Sequence, residues 1–299
     1  MYLPDFQLHE PATLDEAAAL LVRYGRAARV LAGGTDLLVD LKTGRVRVGH
    51  LIALRRLEAL RGVRETAAGV SIGALTTITE LAAAPLVLAR LPALADAAAE
   101  MAGPQIRNVA TVGGNIASAV PCADLPPVLI ALGASVVLVS GAGRRELPLE
   151  GFFRGPRQTL SRDEEMLVEV RVPHQPPCSG AAYARLGLRA GNAIPVAAVA
   201  ASLSLDRDGR VAAARIVLGA VAPVPRLVPA AAEALSGRPA SEERFAAGAR
   251  LAREAAEPIS DVRGSAEYRR ALVEVLARRA LRAAYARAQE NSACPSRAG

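Results

Sequence analysis

The sequence predicts an α+β fold in three successive parts, and three observations support this. Helix and strand patterns alternate near the N-terminus, short strands separated by turns follow, and two long β-rich runs precede three helical segments. The 299 residues exceed the usual length of one domain. We therefore expect domains over residues 1–57, 58–177 and 178–288, followed by a disordered tail over 289–299.

The first domain is predicted to be a small α/β unit. The segment "TLDEAAALLVRYG" indicates a helix in which Thr13 is the N-cap, Glu16 completes a capping box and Gly25 ends the helix. "ARVLAGG" then indicates a buried strand that runs into a glycine turn, and "TDLL" indicates the start of a second helix.

The middle domain is predicted to mix short strands with helices. "GVSIGALTTITEL" indicates a strand and a turn into a helix, and "LPALADAAAEMAGPQIRN" a helix that stops at Gly103-Pro104. A glycine turn, "TVGGNIAS", follows at residues 111–118. "ASVVLVSGAGRRELPL" indicates a hairpin, and "EEMLVEVRVP" a strand closed by Pro173. Residues 174–180, "HQPPCSG", are the best linker candidate.

The third domain is predicted to be a β-meander covered by helices. Two β-rich runs are joined by a turn at residues 206–209, and helices are expected near 228–236, 241–256 and 265–288. In the last helix we expect an apolar side and an arginine-rich remainder. The apolar positions are Leu272, Val275, Leu276 and Ala280, and the arginines are Arg269, Arg270, Arg278, Arg279 and Arg282.

The net charge of +7 does not by itself identify a partner. The arginine-rich helix is open to three interpretations: a solvated cover for the domain, a docking surface for an acidic subunit, or a nucleic-acid site. Nucleic acid is disfavoured because the chain has no tryptophan and only five tyrosines and four phenylalanines to stack on bases.

Several classes of site are absent from the sequence. Its cysteines and histidines are dispersed: Cys122, Cys178 and Cys294; His9, His50 and His174. They predict no disulfide framework, iron-sulfur cluster or zinc triad. The sequence contains no G-x-S-x-G motif of the kind that indicates a hydrolase. Without a signal peptide or an apolar run of about eighteen residues, we expect no membrane span and a cytoplasmic location.

Two glycine pairs carry the main functional signal, in "LAGGTDLLVD" at 31–40 and in "TVGGNIAS". Glycine lets a backbone approach a ligand closely, and consecutive N–H groups can converge on an anion, above all before a helix. Two such turns could hold the diphosphate of a dinucleotide between two domains. Neither pair fits the Rossmann or P-loop pattern, and a single Gly-Gly turn is often only structural.

Four segments occur together in order: "LAGGTDLLVDLKTG", "VSIGALTT", "PQIRNVATVGGNIASAVPCADLPPVLIALGA" and "SDVRGSAEYRRALVEVLARRAL". Their order and spacing resemble the FAD-binding medium subunit of the molybdenum hydroxylases. That family includes carbon monoxide dehydrogenase medium subunits and the flavin domain of xanthine dehydrogenase. The resemblance runs from about residue 4 to 287. It implies a three-domain FAD-binding fold of the PCMH/VAO type.

The resemblance also implies which residues hold FAD. Both glycine segments grip its pyrophosphate: Leu31, Ala32, Gly33, Gly34, Thr35, Asp36 and Leu37 in the first, and Thr111, Val112, Gly113, Gly114 and Asn115 in the second. Asp124 matches an acid that contacts FAD, although it could also be an exposed turn residue. The turn expected near the flavin carries Gly73, Ala74 and Thr77.

Two further positions are implied near the isoalloxazine ring. Leu167 matches an apolar residue packed on the ring, although a leucine in a strand is commonly ordinary core. Arg185 matches a basic position that could stabilise negative charge on reduced flavin. At Ala193 some relatives carry a tyrosine close to the ring, and this chain has none, so no stacking residue is predicted from this loop.

The resemblance implies an oxidoreductase subunit that transfers electrons and hydroxylates nothing itself. Substrate is oxidised at a molybdopterin centre on a large subunit, and electrons pass through two 2Fe-2S clusters on a small subunit. FAD then delivers them to NAD+, a quinone or another acceptor. No catalytic side chain and no metal ligand is expected in this chain.

A heterotrimer or a dimer of heterotrimers is implied as the assembly. The last helix and residues 58–110 are the candidate docking surfaces. Two alternatives stay open: a stand-alone flavin-dependent reductase or oxidase of related fold, such as the enolpyruvyl reductases, and a scaffold subunit without flavin. "SDVRGSAEYRR" disfavours the first, and the intact glycine pairs disfavour the second.

Overall fold

The computed structural model describes residues 3–291. The N-terminal part contains a three-stranded parallel sheet in the order β1-β3-β2, with α1 packed on it. Its elements are β1 (Gln7–His9), α1 (Leu14–Tyr24), β2 (Ala28–Leu31), α2 (Leu37–Lys42) and β3 (His50–Ala53). The predicted order of helix, strand, glycine turn and helix is therefore present.

The cap of α1 differs in one respect from the prediction. Thr13 Oγ1 accepts the backbone N–H of Glu16 at 3.2 Å, as an N-cap does. The Glu16 carboxylate, however, accepts the N–H of Ala12 at 2.8 Å instead of the N–H of Thr13. The capping box is therefore displaced by one residue, and Gly25 caps the end of the helix as expected.

The middle part contains a five-stranded antiparallel sheet in the order β4-β5-β10-β6-β7. Helices pack on this sheet around a core that includes the fully buried Ile72, Leu94 and Ile116. Its elements are β4 (Val63–Thr66), β5 (Gly69–Gly73), α3 (Ile78–Ala83), α4 (Pro85–Arg90), α5 (Pro92–Glu100), α6 (Pro104–Arg107), α7 (Val112–Ala117), α8 (Leu125–Ala131), β6 (Ser135–Ser140), β7 (Gly143–Pro148), β8 (Phe153–Gly155), β9 (Gln158–Thr159) and β10 (Met166–Pro173).

The C-terminal part contains the two strands and the helices predicted for it, together with two further strands that the sequence did not predict. A four-stranded antiparallel sheet in the order β11-β12-β13-β14 carries the helices. Its elements are β11 (Ser179–Gly187), β12 (Pro195–Leu205), β13 (Val211–Gly219), β14 (Arg226–Leu227), α9 (Pro229–Glu233), α10 (Glu242–Glu254) and α11 (Ala266–Glu290). Among the described residues, no helix could span a membrane.

The sheet of the C-terminal part is buried on both faces. Val199 and Ala201 of β12 belong to a core shared with α10 and α11, whereas Ala198 and Ala200 belong to the core of the middle part. Successive residues of a strand point to opposite faces, so this one strand joins the two cores. The C-terminal sheet thus lies between the helices of the middle part and those of its own part.

The last helix does not present the side chains that its sequence predicts. Leu276 and Ala280 are buried, but Val275 is 48% exposed and Arg269 is 2% exposed. Arg269 donates to the Asp261 carboxylate and to the Val196 carbonyl oxygen, at 3.2 Å in the second case. A buried arginine is tolerated here because a carboxylate and a carbonyl oxygen satisfy its guanidinium.

Three other arginines of α11 form ion pairs within the described chain. Arg278 and Arg282 both donate to Glu242 of α10. Arg287 donates to Asp96 of α5 at 2.6 Å, so it ties the last helix to the middle part. These ion pairs explain the arginine-rich pattern as helix packing, because each pairs α11 with another helix of the same chain.

Candidate functional site

The first glycine segment connects β2 to α2 along a half-exposed surface. A Cβ on Gly33 would lie 1.8 Å from the carbonyl oxygen of Val109, so only glycine fits there. Gly34 has a φ of +73°, which also favours glycine. The segment therefore lies directly against the chain that leads into the second glycine segment, as the two-turn prediction requires.

The amides of the first segment are available to a ligand. Within residues 3–291, the backbone N–H groups of residues 33–37 donate to no other group, whereas Leu38 N–H bonds Gly34 O at 3.0 Å. Unpaired backbone donors on a half-exposed surface are suited to bind an anion. The predicted anion-binding arrangement is thus consistent with the geometry of residues 33–37.

The second glycine segment differs from the turn predicted for it. Gly113 and Gly114 lie within the first turn of α7, and Thr111 is its N-cap. All four amides of this turn already have acceptors: Val112 N–H on Thr76 O (2.9 Å), Gly113 N–H on Ala74 O (2.9 Å), Gly114 N–H on Thr111 Oγ1 (3.1 Å) and Asn115 N–H on Thr111 O (2.9 Å). The prediction of a second set of free amides is therefore wrong.

Close packing explains Gly113. Its ideal Cβ would lie 2.7 Å from Ala74 Cβ, so a side chain at Gly113 would push α7 away from the connection after β5. Thr77 and Thr111 form an isolated bridge in the same region. The sequence pattern predicted that the second glycine pair binds a ligand. In the structure, Gly113 of this pair lets α7 contact the connection after β5.

The backbone N–H of Asn115 is already bonded, but within residues 3–291 its side chain has a free hydrogen-bond acceptor. Its Nδ2 lies 3.6 Å from Met101 Sδ, and its Oδ1 is buried without a hydrogen-bond partner in the described chain. A buried acceptor without a donor is costly, and it commonly marks a place that a ligand or water completes. The second segment thus contributes a side-chain acceptor to the candidate site.

Asp124 lies in a buried cluster with two side chains of β11. Its Oδ1 accepts from Tyr183 Oη at 2.8 Å and from Arg185 Nη1 at 2.7 Å. The side chains of Asp124 and Arg185 are only 6% and 7% exposed. The alternative that Asp124 is an exposed turn residue is therefore wrong. Instead, the Asp124 side chain links the middle part to the C-terminal sheet.

Arg185 also fixes two backbone segments. It donates to the Glu100 carbonyl oxygen at 3.2 Å and to the Ala193 carbonyl oxygen. The loop that contains Ala193 is further held by the N–H of Asn192 on Ala102 O at 3.1 Å. The Arg185 charge is balanced by Asp124, so Arg185 is not an isolated cation.

The protonation states of this cluster follow from burial and pairing. Burial raises the pKa of Asp124, and Arg185 and the Tyr183 hydroxyl oppose that rise. Burial and the nearby Asp124 charge raise the pKa of Tyr183 well above its ordinary value, so it stays a neutral donor. Burial also raises the pKa of Glu100, against the charge of Arg185.

The remaining candidate residues lie in or beside the core. Gly73 and Ala74 are buried at the end of β5, and Ala74 N–H bonds Val168 O at 3.0 Å. Thr77 is half-buried and caps α3 in a complete capping box. Leu167 is 8% exposed within the core of the middle part, beside an irregularity in β10.

Sequence reasoning missed Tyr183, which contacts Asp124 directly. Tyr183 and Arg185 are two residues apart in β11 and hence share a face, but the sequence pattern predicted no strand over these residues. Among residues 3–291, no group of three or more histidine, cysteine or acidic side chains could hold a metal ion. The groups identified at the site are backbone amides and polar side chains.

Known protein families match both halves of the chain. A model described as the FAD binding domain in molybdopterin dehydrogenase matches residues 4–175, and one described as the CO dehydrogenase flavoprotein C-terminal domain matches residues 182–284. These matches define a flavoprotein fold. The chain belongs to the FAD-binding medium subunits of the molybdenum hydroxylases, which confirms the resemblance and the fold class that its sequence predicts.

Individual relatives match over nearly the whole length. The carbon monoxide dehydrogenase medium chain of Hydrogenophaga pseudoflava is 39% identical over 288 residues, covering 96% of this chain and 99% of the relative. The carbon monoxide dehydrogenase medium chain of Afipia carboxidovorans is 35% identical, covering 95% of this chain and 98% of the relative. A solved carbon monoxide dehydrogenase from H. pseudoflava, lacking the Mo-pyranopterin moiety, matches with a TM-score of 0.92 and 41% identity, covering 96% of this chain and 99% of the matched chain.

Proposed function

We propose that this chain binds FAD at its two glycine segments and passes electrons from a partner's 2Fe-2S clusters to an external acceptor. The observation that carries this proposal is the row of unpaired amides at residues 33–37, next to the segment that bears the unpartnered Asn115 Oδ1. FAD, when bound, supplies the redox chemistry. The residues of the chain bind and orient it and set the electrostatics around it.

The roles of the residues follow from the groups that they present. The loop from Leu31 to Leu37 donates N–H groups to the pyrophosphate, which carries negative charge. Asn115 Oδ1 and the Asp124 carboxylate accept from hydrogen-bond donors of the cofactor. Arg185 neutralises Asp124, so that a buried carboxylate does not repel an electron-rich flavin.

The other candidate residues act through packing in this proposal. Gly73, Ala74 and Thr77 shape the wall behind α7, and Leu167 lies in the core behind them. The glycines and N-cap of the second segment hold α7 against that wall: Thr111, Val112, Gly113 and Gly114. We place the domain boundaries near residues 57 and 177, which lie between strands of different sheets.

We propose a large molybdopterin-binding chain and a small 2Fe-2S chain as partners, in a heterotrimer or a dimer of heterotrimers in the cytoplasm. The relatives are named medium chains, which supports an assembly of several subunits. Because the arginines of α11 mostly pair within the chain, residues 58–110 are the better candidate docking surface. NAD+ or a quinone is the proposed acceptor.

Electron transfer can be tested on the assembled complex without knowing the substrate. The three chains are co-expressed, the iron-sulfur centres are reduced without air by a titrated chemical reductant, and the visible band of the flavin is followed. NAD+ or a quinone is then added. Bleaching followed by recovery supports the proposal, whereas a flavin that is bleached but recovers with neither acceptor contradicts the proposed acceptors.

A further inference from the structure

The two donors that hold Asp124 both bond to the same oxygen. Tyr183 Oη and Arg185 Nη1 lie 2.8 and 2.7 Å from Oδ1, and no group within residues 3–291 hydrogen-bonds to Oδ2. An ionised carboxylate can accept about four hydrogen bonds through its two oxygens. Asp124 is 4% exposed, and its Oδ2 is not among the fully buried atoms that lack a partner, so a ligand or water can reach this oxygen.

Asn115 Oδ1 is a second acceptor without a donor in the described part of the chain, and a series of contacts connects Asn115 to Asp124. Asn115 Oδ1 has no donor, and the Asn115 amide nitrogen contacts Met101. The carbonyl oxygen of the preceding residue, Glu100, accepts from Arg185. Two acceptors without donors, joined by residues 100–101, fit a ligand that brings hydrogen-bond donors of its own.

We propose that Tyr183 is a positioning residue that acts through Asp124 and never touches the cofactor. Together with Arg185, its hydroxyl occupies Oδ1 and turns Oδ2 toward a hydrogen-bond donor of FAD, either the flavin imide N–H or a ribityl hydroxyl. This inference rests on the proposed function. It assigns a role in cofactor binding to a tyrosine on the C-terminal sheet, across the domain boundary from the glycine segments.

The protonation of Asp124 gives this role a measurable signature. Two ionisable groups on β11, Arg185 and Tyr183, face Asp124. The others are Glu100 at the end of α5 and Cys122, which lies two residues before Asp124 in the sequence. Burial raises the pKa of Asp124, and the Tyr183 hydroxyl lowers it. Removing that hydroxyl lets the pKa rise further, so a larger fraction of Asp124 becomes protonated as the pH falls. A protonated carboxyl accepts more weakly.

The test measures the dissociation constant of FAD on full-length protein stripped of flavin, from about pH 5.5 to 9. The variants are Tyr183→Phe, Asp124→Asn and the double variant. Tyr285→Phe is the matched control, because within residues 3–291 its hydroxyl contacts only Gln289 of α11, whose Nε2 donates to it. We expect Tyr183→Phe to weaken FAD binding about tenfold, because the Asp124 carboxylate is no longer held in the orientation that the cofactor needs, and more so at low pH.

The double variant separates positioning from a structural role. With Asp124→Asn in place no carboxyl remains at position 124, so Tyr183→Phe should add little further loss and no further pH dependence. An FAD analogue methylated at the imide nitrogen should lose the Tyr183 effect if the imide is the donor, and keep it if a ribityl hydroxyl is.

Three results would overturn the proposal. The first is a Tyr183→Phe protein that matches the Tyr285→Phe control at every pH, and the second is a loss of affinity that is additive with Asp124→Asn and independent of pH. If the unaltered chain binds no FAD, the proposed function fails and this proposal with it. Normal FAD binding together with either of the first two results leaves the proposed function intact.

Discussion

Asp124 and Arg185 form a buried ion pair that joins the two halves of the chain. Their Oδ1 and Nη1 atoms are 2.7 Å apart, and Asp124 lies within residues 4–175 whereas Arg185 lies within residues 182–284, the spans of the two matching family models. This ion pair thus helps to hold the C-terminal sheet against the middle part, together with the Arg287–Asp96 pair and the two cores that β12 joins.

Removal of Arg185 should therefore destabilise the protein strongly. Arg185→Met leaves a buried carboxylate without its counter-charge, and we expect the free energy of unfolding to fall by about 3 to 5 kcal/mol. Urea unfolding at neutral pH measures this. The control is Arg90→Met, which breaks the exposed pair with Glu65 and should cost less than about 1 kcal/mol. Equal losses in the two variants would argue against the buried pair.

A methyl group on Gly33 should disrupt cofactor binding. Its Cβ would overlap the Val109 carbonyl oxygen at 1.8 Å, so the loop must move away from the second segment. We expect Gly33→Ala to weaken FAD binding by about tenfold or more and to cost about 1 to 3 kcal/mol of stability. Gly49→Ala, where no atom lies within 4 Å, is the matched control in the same domain. The prediction fails if the two variants bind FAD alike.

Gly113 should matter for packing and only indirectly for the ligand. Gly113→Ala brings Cβ to 2.7 Å from Ala74 Cβ, and we expect a loss of about 1 to 3 kcal/mol in unfolding free energy. Ala74→Gly removes the opposing methyl group and should restore part of that stability. A thermal denaturation series of the single and double variants checks this. Strictly additive losses would contradict the contact.

Acid should destabilise the protein partly through Glu165. Burial alone would raise the pKa of Glu165, but hydrogen bonds from Arg145, one of them 2.7 Å long, lower it below its ordinary value of 4.5. Because the folded-state pKa is below the unfolded one, this contribution is present above about pH 4.5 and is lost as pH falls through the folded-state pKa.

Urea midpoints measured from about pH 6 to pH 3 test this contribution. The Glu165→Gln protein should start less stable and lose less stability over that range than the unaltered protein. Glu243→Gln, at an exposed position of α10, should follow the unaltered protein. Parallel curves for Glu165→Gln and the unaltered protein would contradict the role given to Glu165.

The sequence was sufficient for the family and for many of the elements. Hydrophobic periodicity and turn residues predicted helices and strands in all three parts, because those patterns follow local backbone preferences, but they did not predict β1, β3, α8, β11 or β14. The role of Gly113 could not be predicted, since it depends on contact with Ala74 in a distant segment. Arg269 was placed on the exposed side of α11 because its partner Asp261 lies outside that helix.

The candidate site was predicted only in part for the same reason. Asp124 and Arg185 were identified through the resemblance, but their mutual contact and the position of Tyr183 depend on how β11 packs against α8. The unpaired amides at 33–37 were expected from glycine chemistry alone. Asn115 was assigned through its segment, whereas its unsatisfied Oδ1 is visible only in three dimensions.

The most direct test of FAD binding is the visible absorption spectrum of the purified chain, with identification of any flavin released on denaturation. The sequence contains no tryptophan, so the near-ultraviolet band of the protein is weak and bound flavin is conspicuous. We predict a flavin spectrum and FAD released at about one per chain. A colourless protein that also fails to take up added FAD would contradict the function proposed for this chain.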